Sequence, residues 1–201
     1  MLAGEYERAA DALNASRNRA SRSFAASICD SIRDMELPYA VFEVHVCDAP
    51  MSSTGKDSVQ FTFSATGKNP VDVAKCASGG EMSRIMLALK AMMARYAQMP
   101  TMIFDEIDTG VSGSVADRMG SVICSMGESM QVFAITHLPQ VAAKGKAHYL
   151  VSKEINPQSG EAVSKIERLS DKQRVLEVAR MLSGSVLTAE AVANAESLLR
   201  A

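Results

Sequence analysis

With 201 residues the chain is long enough to bury one sizeable core but too short for a second full domain. Acidic and basic residues nearly balance, 23 against 21, which excludes a generally basic, nucleic-acid-coating surface and makes any DNA contact local. Cys29, Cys47, Cys76 and Cys124 are widely spaced, form no C-x-x-C pair and stand among apolar residues, the pattern of reduced thiols acting as small core hydrophobes in a cytosolic protein.

The opening "MLAGEYERAADALNASRNRA" has neither an apolar signal core nor a small-residue cleavage site, and no apolar run approaches membrane-spanning length. A soluble, non-exported, cytoplasmic protein without membrane partners is expected. From Leu2 to about Met35 the residues Leu2, Tyr6, Ala9, Leu13, Ala20, Phe24, Ile28 and Ile32 recur mostly at steps of three and four, predicting one long amphipathic helix. Periodicity leaves open whether it is an ordinary packed helix or the arm of a coiled coil. Arg17, Arg19 and Arg22 put a small basic cluster on it, which reads more readily as a solvated face than as a DNA contact.

"AVFEVHV" (40–46) and "SVQFTFSA" (58–65) alternate as strands of a meander, joined by a turn-rich segment with Pro50 and Gly55; His45 reads as a half-buried strand residue. After "SGGE" a helix carries Met82, Ile85, Met86, Leu89, Met92, Met93 and Tyr96 on one face and ends before Pro100. "TMIFDE" (101–106) is expected to be a buried parallel strand ending in two carboxylates. The Gly/Ser-rich "DTGVSGS" leads into a helix with Val115, Met119, Val122, Ile123 and Met126 inward. "QVFAITH" gives a second buried strand, and "LPQVAAKG" a short helix starting near Pro139 and stopping at Gly145. Strand, helix, strand, helix at this spacing predicts an α/β fold with a mostly parallel sheet. A hairpin is expected around Asn156-Pro157-Gln158-Ser159-Gly160, with His148 as a strand residue. A helix capped by Ser170 and Gln173 and stopped by Gly184 follows, then a last helix capped by Thr188.

Ligands of open parallel sheets sit beyond the carboxyl ends of the strands, where Asp105, Glu106 and His137 fall. Asp105 is placed to hold Mg²⁺ beside a nucleotide phosphate, Glu106 to face an attacking water, and His137 to reach a γ-phosphate oxygen. Taken singly, the carboxylates would more often be capping or turn residues and the histidine structural. "SGGE" (78–81) is a capping box that accounts for Ser78 and Glu81 without a ligand, but not for two glycines in a first helical turn, where they are costly in chain entropy. A phosphate-binding loop of the form G-x-x-x-x-G-K-[ST] is absent: Gly55-Lys56, Gly67-Lys68 and Gly145-Lys146 each fail the pattern.

In order, "ASGGEMSR", "TMIFDEIDTGVSG" and "AITHLPQVAA" resemble the signature motif, the Walker B motif with its D-loop, and the switch-histidine motif of ABC-type ATPase heads. With "FTFSATG" upstream and "EVARMLSG" near the end, the chain is most similar to the RecN family of bacterial DNA-repair proteins, relatives of the structural-maintenance-of-chromosomes (SMC) proteins. The resemblance implies the C-terminal lobe of an ABC/SMC-type P-loop NTPase head: residues 1–36 as the end of a returning coiled-coil helix and 37–201 as the lobe, with Met1 at an internal boundary of a longer protein. It implies ATP and Mg²⁺ as cofactors. Asp105 is then the magnesium-associated aspartate, Glu106 and His137 are catalytic, and Ser78, Gly79, Gly80 and Glu81 act in trans on the nucleotide of a second head. Asp108, Thr109 and Gly110 open a D-loop that runs to Ser112 at the dimer seam. Implied partners are the N-terminal Walker A lobe of the same protein, a second head in a homodimer, and double-stranded DNA ends near the nucleoid. Ser112 and Ala77 depart from the Asp and Leu common in ABC proteins, which blurs the D-loop assignment. The alternatives are a non-catalytic dimerisation or DNA-scaffold module and, poorly matched because Ile107-Asp108-Thr109-Gly110 replaces P-T-S-A, a transporter head.

Overall fold

The computed structural model describes residues 2–75, 78–155, 162–184 and 186–200, so Cys76, Ala77 and the expected turn at 156–160 lie outside the described residues. The chain is α/β and divides into two compact units: Met1–Met99 with Thr109–Val111, and Pro100–Asp108 with Ser112–Ala201.

The first unit is framed by α1 (Leu2–Asp34) and an antiparallel sheet in the order β1-β2-β3, with β1 Val41–Ser52, β2 Gly55–Ser64 and β3 Val71–Asp72. The hairpin strands run further than their alternation predicts. Pro50 lies inside β1, near an irregularity between Asp48 and Ser52, and the turn is at Ser53 and Thr54. Apart from Ala10, the buried residues of α1 lie in its last third, Ile28, Cys29 and Ile32, followed by Met35, where the helix packs on the sheet that buries Phe42 and Phe63. Phe24, Phe42 and Phe61 cluster with ring centroids 5.5–6.5 Å apart, Phe24 stacked on Phe61 and both tilted against Phe42. Cys29 is buried, its sulfur accepting from the Phe42 amide at 3.0 Å, whereas Cys47 is exposed, contrary to the core role expected for every cysteine.

The N-terminal part of α1 is held instead by polar contacts to the hairpin tip. Arg17 pairs with the fully buried carboxylate of Asp57, which also accepts from Asn14 at 3.0 Å. The Tyr6 hydroxyl donates to the Ser52 carbonyl at 2.9 Å. Arg17 is therefore engaged, which breaks up the basic cluster on this helix. His45 lies in β1 as expected, its imidazole beside the Thr62 hydroxyl and Glu43 carboxylate.

Helix α2 (Gly79–Ala97) belongs to the same unit, but only part of the expected stripe faces inward: Ile85 is buried and Met82, Leu89 and Met92 are partly buried. Gly80, Ser83, Ile85, Leu87, Ala88 and Ala94 are buried, while Met86, Met93 and Tyr96 are exposed. Small residues win because a loop backbone lies directly against the helix.

The second unit contains the parallel pair β4 (Thr101–Asp105) and β5 (Gln131–Ile135), crossed by α3 (Gly113–Met126). Neither strand is buried on both faces as expected. Phe104 is inaccessible, but Ile103, Phe133 and Ile135 are 61, 45 and 56% exposed, because among the described residues this sheet has only two strands. Helix α4 (Pro139–Lys144) starts with Pro at its first turn and packs closely on α3 at Gly120, where an added Cβ would meet the Val141 Cα at 3.2 Å. The antiparallel β6 (Tyr149–Ile155) and β7 (Ala162–Arg168) form the hairpin; His148 precedes β6 rather than lying in it. Helix α5 (Asp171–Ser183) carries the full Ser170–Gln173 capping box and packs on α6 (Ala189–Arg200) through Val178, Ala179, Ala191 and Ala195.

Candidate functional site

In the second unit the register of β4 on β5 pairs Asp105 with Ile135, so both strands end side by side. Neighbouring strands lie about 4.8 Å apart. The residues that follow, Glu106 from β4 and Thr136 and His137 from β5, therefore emerge from one carboxyl edge, and the Glu106 amide donates to the Ile135 carbonyl at 3.2 Å. Asp105, Glu106 and His137 are all exposed. Glu106 has φ 48°, a left-handed backbone that a non-glycine residue holds at a cost of about 1–3 kcal/mol and that breaks the extended strand at this residue. Asp108 behaves differently from its neighbours. It is 1% exposed, and one carboxylate oxygen accepts from the Thr136 hydroxyl.

In the first unit, Ser78 caps α2, its hydroxyl accepting the Glu81 amide at 3.5 Å. The two glycines after it differ. A Cβ on Gly80 would stand 2.6 Å from the Gly110 carbonyl oxygen, so only glycine lets the 109–111 backbone lie against the helix. Gly110 complements it at φ 76°, and the buried Ser83 hydroxyl donates to the Thr109 carbonyl at 2.8 Å. A Cβ on Gly79 would meet nothing within 4 Å, and its φ is not positive. No contact among the described residues explains it. Arg84 reaches from the first turns of α2 to the end of α1, donating to the Gly80 carbonyl at 3.0 Å and the Met35 carbonyl at 3.2 Å; burial lowers its pKa, opposed by Glu81 and Glu36.

Each part of the expected site is thus assembled within its own unit: Asp105, Glu106, Asp108 and His137 in one; Ser78, Gly79, Gly80, Glu81, Thr109 and Gly110 in the other. Thr136, Ser83 and Arg84 were not expected. "TH" after an apolar strand carried a signal for the first, since a hydroxyl at a strand end often bonds nearby backbone; the other two are read only from packing. His45 and His148 take no part in these groups, and burial, with Arg174 adding to it, pushes the His148 pKa down.

Mg²⁺ is held by one or two carboxylates plus substrate phosphates and water. The exposed Asp105 fits that role beside a phosphate, and no cluster of three or more potential metal ligands stands among the described residues to hold a metal unaided.

No family model matches the chain. It is 38% identical over 194 residues to the DNA repair protein RecN of Vibrio cholerae, covering 95% of this chain and 35% of that protein. It is likewise 38% identical over 198 residues to RecN of Haemophilus influenzae, and 37% identical over 194 residues to RecN of Halalkalibacterium halodurans. Its homologues are RecN proteins. The chain spans about a third of the length of these curated relatives.

Among solved structures it superposes on the Smc head domain of Pyrococcus yayanosii with a TM-score of 0.63 at 20% identity, over 79% of this chain and 29% of that one. A structure described under ATP-driven dimerization and DNA-stimulated activation of SMC ATPases gives a TM-score of 0.54 at 21% identity, over 82% of this chain and 97% of that one. At these identities the likeness establishes the fold alone, that of part of an SMC-type head. No helix among the described residues is long and apolar enough to cross a membrane.

Proposed function

We propose that this chain is the C-terminal lobe of a RecN-type ATPase head acting in DNA double-strand-break repair and recombination, with residues 1–36 as the end of a coiled-coil arm and 37–201 as the lobe. The observation that carries the reading is the parallel register of β4 and β5, which brings Asp105, Glu106 and His137 to one carboxyl edge. The open Gly79 supports the second half of it. A glycine at a helix N-terminus whose added Cβ would meet nothing within 4 Å among the described residues suits close approach by an anionic group from outside, and the helix dipole favours that charge.

Bound Mg²⁺-ATP supplies the transferable γ-phosphoryl group and neutralises charge on it. Asp105 takes the metal-proximal position at the end of β4. Glu106, just past the end of β4 on a left-handed backbone, accepts a hydrogen bond from water and orients it in line with the phosphorus. His137 donates from its imidazole to a γ-phosphate oxygen. Ser78, Gly79, Gly80 and Glu81 form the face that closes over a nucleotide held by a second head, with Asp108, Thr109 and Gly110 opening the loop at the seam. Positioning and electrostatic stabilisation supply most of the acceleration.

The Walker A loop belongs to the N-terminal lobe of the same protein. The open apolar face of Ile103, Phe133 and Ile135 supports a further layer of structure there. The chain alone therefore does not hold ATP tightly, and its other partners are a second head and double-stranded DNA ends. In the full-length protein, Glu106→Gln is expected to retain ATP-dependent dimerisation while slowing hydrolysis on the order of 10²- to 10⁴-fold, read by phosphate release. Unchanged turnover would refute the assignment.

A further inference from the structure

We infer that Asp108 and Thr136 form a positioning pair that sets the pose of His137, an inference that rests on the ATPase reading above. The Thr136 hydroxyl oxygen accepts the Leu138 amide at 2.9 Å, which commits its proton to the other side, toward the Asp108 carboxylate. His137 lies between those two anchored residues. On one flank Thr136 ends the strand that pairs with β4; on the other, Leu138 is the N-cap of α4, its carbonyl accepting the Ala142 amide at 3.0 Å. A single hydroxyl thus clamps the three-residue turn that carries the histidine, and a carboxylate from the loop after β4 fixes that hydroxyl. The acceptor must be strong and buried to do this. Asp108 is 1% exposed, and its second oxygen is buried with no hydrogen-bond partner among the described residues. A carboxylate left half-satisfied in the interior is a poor choice for stability alone. It is a sensible one for orientation, because an ionised carboxylate can only accept and so leaves the threonine proton a single direction.

The same side chain gives the loop after β4 a fixed point next to the carboxylates. Asp108 lies two residues beyond Glu106, so the water-orienting group and the histidine hang from the two ends of one hydrogen bond. Displacing either end moves one relative to the other, and geometric errors of this kind lower turnover more than substrate affinity.

The test is steady-state ATP hydrolysis by the full-length protein. Thr136→Val, which keeps the shape and removes the hydroxyl, is expected to lower kcat about tenfold or more with the KM for ATP within about twofold. Thr136→Ser should recover to within about threefold of the parent. Because Thr136→Val strands a buried carboxylate, the double variant Asp108→Asn with Thr136→Val removes that charge and serves as the folded control; it should show the same loss. Positioning through His137 further requires that Thr136→Val add nothing to His137→Ala, whereas a general weakening of the head would multiply the two defects. A parental kcat in Thr136→Val beside a slow His137→Ala overturns the pair alone, as do multiplying defects or a serine variant as slow as the valine. A parental rate in His137→Ala overturns the role of the histidine itself.

Discussion

On the β1–β2 hairpin, Phe42 and Phe63 are each 2% exposed and the polar tip is tied to α1 through Asn14, Arg17 and Asp57. On the β4–β5 pair, Ile103, Phe133 and Ile135 are 45–61% exposed and each strand has a single neighbour among the described residues. Among the described residues the first sheet finds its cover; the second does not. A short parallel sheet with one bare apolar face is not a stable end point, since parallel strands occur almost only with both faces covered. On the reading proposed above, the difference marks the part of the molecule that receives structure from another lobe. The candidate catalytic edge stands on that part.

The largest effect expected from this contrast is on lobe association. Ile103→Glu with Ile135→Glu, co-expressed with the N-terminal lobe, should abolish co-purification and nucleotide binding, while equivalent changes at the exposed Val59 of β2 should leave both intact. Recovery of the complex by the double variant would mean that the bare face is ordinary surface. Next is the arm. Arg17→Met leaves the Asp57 carboxylate buried without its cation, and breaking such a pair costs about 3–5 kcal/mol. Denaturant unfolding should show that loss, partly moderated by the remaining Asn14 hydrogen bond, and a cost below about 1 kcal/mol would make the pair a surface contact in effect. Smaller still is the contrast between adjacent glycines. Gly80→Ala drives a methyl into the Gly110 carbonyl and should destabilise by about 1–3 kcal/mol. Gly79→Asp, in open space at a helix start, should stay within about 0.5 kcal/mol of the parent, because the helix dipole favours the charge. Equal costs at both positions would erase the distinction.

Much of this was legible in the sequence. The two parallel strands, though ending at Asp105 and Ile135 rather than at Glu106 and His137, the Ser170–Gln173 box and the Pro139 start of α4 follow from local rules that need no knowledge of the rest of the chain. Which side of α2 faces inward was not legible. The periodicity favours the large methionines, and only the approach of the 109–111 backbone reveals that Gly80 and Ser83 are the buried side. The bare face of β4–β5 was misjudged for a related reason. "TMIF" and "QVFAI" read as buried on both sides because they are almost wholly apolar, and local composition does not tell how many strands or layers surround them. The Asp108–Thr136 pair joins residues 28 apart, and no local pattern connects them.

The central claim is that this chain offers its Ser78–Glu81 face to the nucleotide of another head. Two full-length variants, Gly79→Asp and Glu106→Gln, test it when mixed. Each alone should hydrolyse ATP slowly, the first by repelling phosphate at the signature face, the second by losing the water-orienting carboxylate. If the face works in trans, a mixed dimer contains one composite site with both defects and one with neither, so mixing should restore a substantial fraction of parental activity. No recovery on mixing, with mixed dimers demonstrably formed, would place both groups in the same head and contradict the account.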